Sequence, residues 1–524
     1  MNETLLFHDM FDFLARSRPD QLCIDDGTRV LRFGEAADEV NRIANGLLAL
    51  DLGKGDRFGY LSQNCADMWL MYLAAARTGA VPVPLNYRLA PAEWRYILTD
   101  AEAKALFIGS GYDAAIASIA DELPGISHYL SFDASWDRAR GCRDWLAEQS
   151  AAPVTCEIAS DDIFYQMYTS GTTGLPKGVI VTHANYAANL AQAANMITRL
   201  PDAGDTALVV TPLYHAAAVW IAALCTARGM AIILKTEFDP ADVVDTLDRE
   251  RVAFTFLVPA MIQACLTQVP DIAERDWSAL KLLMYGASPI AEDVLRRTVG
   301  LFGCDVYQAY GLTETTAILT LLGADEHRRA LSGEAHLLLA AGRPLPGTDL
   351  RIADEDDAPL GEGRIGQILA RGPQIVPGYW KLDEATAGFR EGGWAHTGDA
   401  GEVDAEGYLY IRDRIKDMVV SGGENIYPRE VENVLFDHPR IVDAAVIGVP
   451  DQKYGEALLA LVVTDDGADI DADEVIAFCR TRLGGYKVPR RIERTDALPR
   501  NASGKVLKTE LRKPYWEKAG RSVG

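Results

Sequence analysis

Between Tyr168 and Gly178 the chain reads YTSGTTGLPKG, a stretch too rich in glycine and small hydroxyl residues to serve as core. Thr169, Ser170, Thr172 and Thr173 offer hydroxyls there, Gly171 and Gly174 let backbone N–H groups approach a polyanion, and Lys177 adds a positive charge. That chemistry is phosphate binding; a Gly-rich surface turn is the plainer alternative. The Walker spacing G-x-x-x-x-G-K-[ST] does not fit, because counting from Gly171 places Pro176 at its second glycine and Gly178 follows Lys177. A G-x-G-x-x-G match at Gly361–Gly366 runs into the strand-like QILARG, not into the helix that a dinucleotide site needs.

The elements that must position such a loop are those of an α/β protein. A chain of 524 residues, with 48% hydrophobic and 24% charged content, has room for two or more domains and a large core. RFGYLSQ, ALVVTPL, MAIILK and VAFTFLVPA read as strands, and EAADEVNRIANGLLAL as an amphipathic helix. This alternation predicts layered helices and mostly parallel sheet over residues 1–415, with a β-rich subdomain at about 338–411 marked by short strands between Gly- and Asp-rich turns. After RDRIKDMVVSGGENIYP the pattern becomes a compact α+β unit over 416–524, with the boundary at Lys416.

The net charge of −24 argues against a nucleic-acid binder, although local N–H groups and a metal ion still permit nucleotides. Eight scattered cysteines without a C-x-x-C pair suggest reduced, mostly buried thiols and a cytoplasmic setting. The first twenty residues lack a signal-peptide pattern and read as a surface helix. The longest apolar run, Ala216–Ala227, is too short to span a bilayer.

Several stretches, in order, resemble the adenylate-forming superfamily of acyl-CoA synthetases, aryl-CoA ligases, luciferases and adenylation domains. YTSGTTGLPKG resembles its signature loop and PLYH (Pro212–His215) the opening of its acyl pocket. YGASP (Tyr285–Pro289) and QAYGLTET (Gln308–Thr315) resemble its adenine and magnesium motifs. HTGD (His396–Asp399) resembles its ribose motif, DRIKDMVVSGGENIYPREVE its hinge, and PRNASGKVLK its C-terminal lysine loop. The match runs from about residue 20 to 515, and stand-alone fatty-acyl and aryl-CoA ligases look most similar.

The resemblance implies ATP, Mg²⁺ and CoA, with a small-molecule carboxylic acid as substrate. It gives Gly286, Ala287, Ser288, Gln308, Ala309, Tyr310, Gly311 and Ile411 to the nucleotide, with Tyr310 stacked on adenine. Ala287 and Ala309 stand where glycine is more usual. Thr313 contacts the α-phosphate, Glu314 and Thr169 face the metal, and Asp399 accepts both ribose hydroxyls with Arg414 beside it. Tyr214, His215, Ala216, Ala217, Trp220, Leu312, Thr316, Ala317 and Ile318 line the acyl cavity, although core packing explains each equally well. Lys505 is the catalytic lysine, Lys416 the hinge, and Lys508 is expected to be a solvated neighbour. Gly422, Gly423, Glu424, Tyr486, Lys487 and Arg490 fall on the CoA side, with Val488 where one relative has arginine.

The implied reaction is acid to acyl-AMP to acyl-CoA. The runner-up is loading of a carrier protein; no carrier domain follows Gly524, and no acid that would hold an amino group lies beside PLYH. A homodimer is a family-level expectation.

Overall fold

The computed structural model describes residues 6–518 apart from 170–174, 289, 291, 422–423, 452, 466 and 501–504. Among the described residues five sheets carry the fold. The largest has nine strands: Arg343–Pro344, Thr320–Leu322, Asp305–Tyr310, Leu282–Gly286, Phe254–Leu257, Thr206–Val209, Ala231–Leu234, Leu22–Asp25 and Val30–Arg32 in spatial order. Its centre is parallel, and antiparallel strands close both edges. A second, all-parallel sheet holds Val81–Leu85, Arg57–Leu61, Ala105–Ile108, His128–Ser131 and Ala139–Gly141. The strands read from the sequence at 57–61, 206–209, 231–234 and 254–257 all form, as does the helix Phe33–Ala49.

Two helices between the layers show why the parallel core is so apolar. Every residue of Ala66–Thr78 is buried, and nearly every residue of Ala216–Arg228. Neither has a polar face, which suits a helix covered on all sides. Their few polar groups find partners across the layers: Trp69 Nε1 donates to Thr226 Oγ1 at 3.2 Å, and Tyr72 donates to the Leu213 carbonyl at 2.9 Å. The first helix, Phe7–Ser17, lays Phe7, Phe11 and Leu14 into this same core.

The β-rich part is a four-stranded antiparallel sheet of Asp349–Ala353, Gly366–Arg371, Ala395–Val403 and Leu409–Arg414. The glycines at 361–366 lead into its second strand, as the sequence predicts. The C-terminal sheet joins Glu424–Ile426, Val419–Ser421, Gly455–Thr464 and Ile441–Asp451, with Arg491–Arg494 paired parallel to Gly455–Thr464. Helices Pro428–Phe436 and Ala472–Arg480 pack on it around Val431, Leu435, Val475 and Cys479. All eight cysteines are free thiols, five of them buried. Among the described residues no helix is long and apolar enough to cross a membrane.

Candidate active site

The glycine loop joins two antiparallel strands, Ile163–Thr169 and Lys177–Thr182, which pair Thr169 with Lys177 across the turn. A Walker loop instead joins a strand to a helix, so the topology agrees with the misfit in spacing. Ser170, Gly171, Thr172, Thr173 and Gly174 lie outside the described residues. What flanks them is firmly held. The Tyr168 hydroxyl donates to Asp100 Oδ2 at 2.6 Å, and Lys177 Nζ sits 5.1 Å from the centre of the Tyr379 ring.

Three further motifs begin where parallel strands end. PLYH follows the strand Thr206–Val209, Ala287 and Ser288 follow Leu282–Gly286, and Gly311–Thr315 follows Asp305–Tyr310. Ligands of open α/β sheets gather at these carboxyl ends, so the topology brings the motifs to one edge. Two glycines there are required by close packing. A Cβ on Gly286 would lie 2.4 Å from the Ala309 carbonyl oxygen, and one on Gly311 would lie 2.1 Å from that of Ala317. Ala287 adopts a left-handed φ of 67° without being glycine. The Gln308 side chain accepts the Tyr285 hydroxyl at 3.2 Å.

The loop carrying Thr313 and Glu314 is held from several sides. Thr316, also at positive φ, donates to the Gln374 carbonyl at 2.7 Å, and Asn189 Nδ2 donates to the Ile318 carbonyl at 2.7 Å. The Thr316 hydroxyl is thus committed to anchoring, Ile318 is buried in the core, and Ala317 and Leu312 are half-buried beside them. The Glu314 backbone carbonyl accepts Val376 N–H, and its Oε1 accepts the Tyr379 hydroxyl at 3.0 Å. Tyr379 was not singled out by sequence reading. Burial, and then the Glu314 charge, push its phenol well above the ordinary tyrosine range.

Asp399 forms the second cluster. Its carboxylate is buried, with Oδ1 2.6 Å from Arg414 Nε and Oδ2 accepting the Tyr310 hydroxyl at 2.6 Å. The resemblance gives Tyr310 to adenine and Asp399 to ribose, and it does not foresee this link between them. Each carboxylate oxygen keeps a second acceptor position for a ligand hydroxyl. Ile411 lies on the neighbouring strand, half-buried.

Lys505 comes to this cluster from the C-terminal part of the chain. It is half-buried, and its ammonium feels Arg414, Asp399, Asp417 and Lys416. Burial, followed by the Arg414 charge, lowers its pKa to about 8. Lys416 is exposed, while its carbonyl accepts Arg512 Nη1 at 3.2 Å. Lys508 is not solvated as expected: its side chain is 12% exposed, and its Nζ lies 2.8 Å from Glu432 Oε1. No local pattern announced that partner, which lies on another helix.

At the acyl end, His215 caps the helix Ala216–Arg228. Burial, then the nearby Arg88 charge, lower its pKa to about 4, so the imidazole is neutral at physiological pH. Its Nε2 and the Trp220 Nε1 are buried without hydrogen-bond partners among the described residues. The Tyr214 hydroxyl accepts Arg88 Nη1 at 2.9 Å. Ala216 is buried and Ala217 half-buried.

The residues given to CoA divide differently. Gly422 and Gly423 lie outside the described residues, Glu424 is exposed, and Tyr486 is 47% exposed. Lys487 bonds Glu430 at 2.7 Å, and the Arg490 guanidinium stacks over Tyr454 at 4.1 Å. Those partners all lie within the C-terminal part of the chain.

Among the described residues no three acidic, histidine or cysteine side chains cluster as a metal cage. A single carboxylate, Glu314, held by the Tyr379 hydroxyl, offers one oxygen ligand of the kind Mg²⁺ takes.

Comparison with known proteins agrees with this geometry. Residues 11–380 match the AMP-binding enzyme family, and residues 430–505 match the AMP-binding enzyme C-terminal domain. The chain is 38% identical over 506 residues to a feruloyl-CoA synthase of an Amycolatopsis species, covering 96% of this chain and 97% of that protein. It is 36% identical over 476 residues to the long-chain-fatty-acid–CoA ligase FadD13 of Mycobacterium tuberculosis, covering 91% of each. The crystal structure of ATP-bound MatB from Rhodopseudomonas palustris superposes with a TM-score of 0.87 at 32% identity, covering 98% of this chain and 99% of that one. With these matches beside a glycine-rich loop between paired strands, an acid at a parallel-strand end and a C-terminal lysine near a buried Asp–Arg pair, the chain belongs to the adenylate-forming superfamily of AMP-binding enzymes, among its acyl-CoA synthetases.

Proposed function

We propose that this chain activates a fatty or aromatic carboxylic acid as its acyl adenylate and then transfers the acyl group to CoA. The observation that carries the reading is the presence of Lys505 beside the buried Asp399–Arg414 pair. A carboxylate oxygen attacks the α-phosphorus of ATP, the bond to the bridging oxygen breaks, and pyrophosphate leaves. The sulfur of the CoA thiolate then attacks the acyl carbonyl carbon, and AMP leaves with the C–O bond electrons.

The first step must bring two anions together, and preorganised positive charge is what reduces that repulsion. Lys505 supplies an ammonium, and Lys177 and the loop it follows grip the phosphates. Asp399 orients the ribose, and Thr313 bonds the α-phosphate. Mg²⁺ carried in with ATP neutralises phosphate charge when bound, and Glu314 is the residue suited to hold it. His215, being neutral, closes the acyl side without adding charge. The second step needs a different wall around the acyl carbonyl. Two units, 1–415 and 416–524, turning at Lys416 would withdraw Lys505 and present the 422–424 segment to pantetheine. Free, mostly buried thiols support a reducing, cytoplasmic setting.

The test is a panel of straight-chain acids, benzoates and cinnamates, assayed for AMP release with ATP and with or without CoA. Acid-dependent AMP release that needs CoA, with thioester as product, is expected for at least one class. AMP release that requires a carrier protein in place of CoA would overturn the second step. Absence of acid-dependent pyrophosphate release across the panel would overturn the first.

A further inference from the structure

Beside the Asp399–Arg414 pair lies a group of buried charges that the chemistry above does not use. Lys508 opens the last helix, Lys508–Lys518. Its Nζ stands 2.8 Å from Glu432 Oε1 and 3.7 Å from Asp413 Oδ2. All three side chains are largely withdrawn from water: 12% exposed for Lys508, 14% for Glu432 and 9% for Asp413. The two carboxylates belong to different parts of the fold. Glu432 sits on the helix Pro428–Phe436, and its Oε1 also accepts Val446 N–H at 2.8 Å, which ties it into the C-terminal sheet. Asp413 sits on the strand Leu409–Arg414 of the four-stranded sheet, one residue before the arginine that holds Asp399. Its Oδ2 also accepts Arg429 N–H at 2.9 Å from the C-terminal side.

Lys508 is also close in sequence to the reacting ammonium. The backbone between them is pinned: Leu507 N–H donates to the Pro499 carbonyl at 2.8 Å, and Val506 bridges Arg500. Three residues span at most about 10 Å, so fixing Lys508 confines Lys505 to a small region. A contact between Lys508 and Asp413 therefore sets that region relative to Asp399 and Arg414.

We infer that Lys508 and Asp413 are positioning residues for adenylation: their charge pairing across the sheet boundary sets the Lys505 segment in register with the Asp399–Arg414 pair. The inference rests on the ligase reading above. A charged contact suits a boundary that must open again. Apolar surface would resist separation, whereas parted charges regain water, and Lys508 keeps Glu432 as its partner wherever the C-terminal unit goes. Asp413 is then the half of the contact that is made in one arrangement and released in the other.

Asp413→Asn removes the charge and keeps an oxygen for Arg429 N–H, so it is the cleanest variant. Carboxylate-dependent ATP–pyrophosphate exchange is expected to fall by about 10–100-fold, the worth of one charged contact. Thioester formation from supplied acyl-AMP and CoA should stay near the wild-type rate. Lys508→Met should show the same split more strongly, and Lys508→Arg, which retains the charge, should recover most of the exchange. Equal losses in both half-reactions, or wild-type exchange in Asp413→Asn, would overturn the inference. Should Lys508→Met prove unfolded by its melting curve, Asp413→Asn and Lys508→Arg decide alone. A readout free of catalysis separates this inference from the ligase reading. The rate at which acetic anhydride labels Lys505, followed by peptide mass spectrometry, should rise several-fold in Asp413→Asn. An unchanged labelling rate overturns the positioning role, even if no acid on the panel reacts.

Discussion

The two regions that meet at the site are built on opposite principles. Around Asp399 and Glu314 the polar groups are held on strands or short anchored loops: Tyr310 and Arg414 fix one carboxylate, Tyr379 the other, and Thr316 and Asn189 lock the connecting segment. The C-terminal region offers its lysine from a segment just ahead of a helix, steered by ion pairs. On the proposed reading, one side is a receptor shaped in advance and the other delivers a cation. The charges show why the division works. The chain carries a net −24, yet Arg414, Lys416 and Lys505 gather beside Asp399 and Asp417 where the regions meet. Burial is the main cause of the lowered pKa of Lys505, and the Arg414 charge adds to it, so holding the ammonium here works against its own charge. On the proposed reading, phosphate and carboxylate offset that cost.

The strongest way to break the comparison is to remove the delivered cation. Lys505→Ala should reduce acyl-AMP formation by roughly 10²–10³-fold, the usual loss for one preorganised charge-stabilising contact. Thioester formation from supplied acyl-AMP should survive, because the receptor side is intact. Pyrophosphate exchange and single-turnover transfer, measured separately, check this; equal damage to both would make Lys505 a structural residue.

Titrating the same cation is gentler. With a pKa of about 8 in the free enzyme, Lys505 loses its proton as the pH rises through that value. kcat/KM for ATP in the adenylation half-reaction should therefore be level below pH 8 and fall about tenfold per pH unit well above it. The stability consequence has the opposite sense. A lysine whose folded pKa is depressed opposes folding at neutral pH, and that opposition fades as the pH rises through about 8 towards its unfolded value. Lys505→Arg should move the falling limb of the rate profile upward or out of range. A limb that stays in place in Lys505→Arg would assign it to another group.

On the receptor side a single hydroxyl should matter less. Tyr379→Phe removes the donor to Glu314 Oε1 while keeping the ring under Lys177. A neutral donor to a charged acceptor is worth about 1.5 kcal/mol or more, so the Mg²⁺ concentration for half-maximal adenylation should rise about tenfold. The readout is the Mg²⁺ dependence of pyrophosphate exchange, with no change expected in transfer to CoA.

The same division decides what could be read from the sequence. Strands at 57–61, 206–209, 231–234 and 254–257 were legible because their burial is local and continuous. The failed Walker count was legible too: the strands that flank the glycine loop pair with each other, where a Walker loop would lead into a helix. The contacts that complete the site were not legible. Tyr379 lies 65 residues from Glu314, and nothing in GYW marks its hydroxyl as a donor. Lys508 looked solvated because lysine usually is, and its partners Glu432 and Asp413 reach it only through the packing of a helix and a second sheet. Periodicity reports one face of one element; it carries no information about which charge waits on another.

The smallest effect sharpens the comparison from the receptor side. Ala287 holds φ at 67°, a left-handed conformation that costs an L-residue with a Cβ about 1–2 kcal/mol. Part of that strain would be exchanged for greater unfolded-state freedom in Ala287→Gly, since glycine raises chain entropy by about 0.4–1 kcal/mol. The net result should be a gain of roughly 0.5–1 kcal/mol, seen as a rise of about 1–2 °C in the thermal midpoint. A rigid receptor keeps its geometry when strain is relieved, so KM for ATP should barely move. If Ala287→Gly instead loosened nucleotide binding while raising stability, the strained backbone itself would be part of the grip, and preorganisation here would extend from side chains to the main chain.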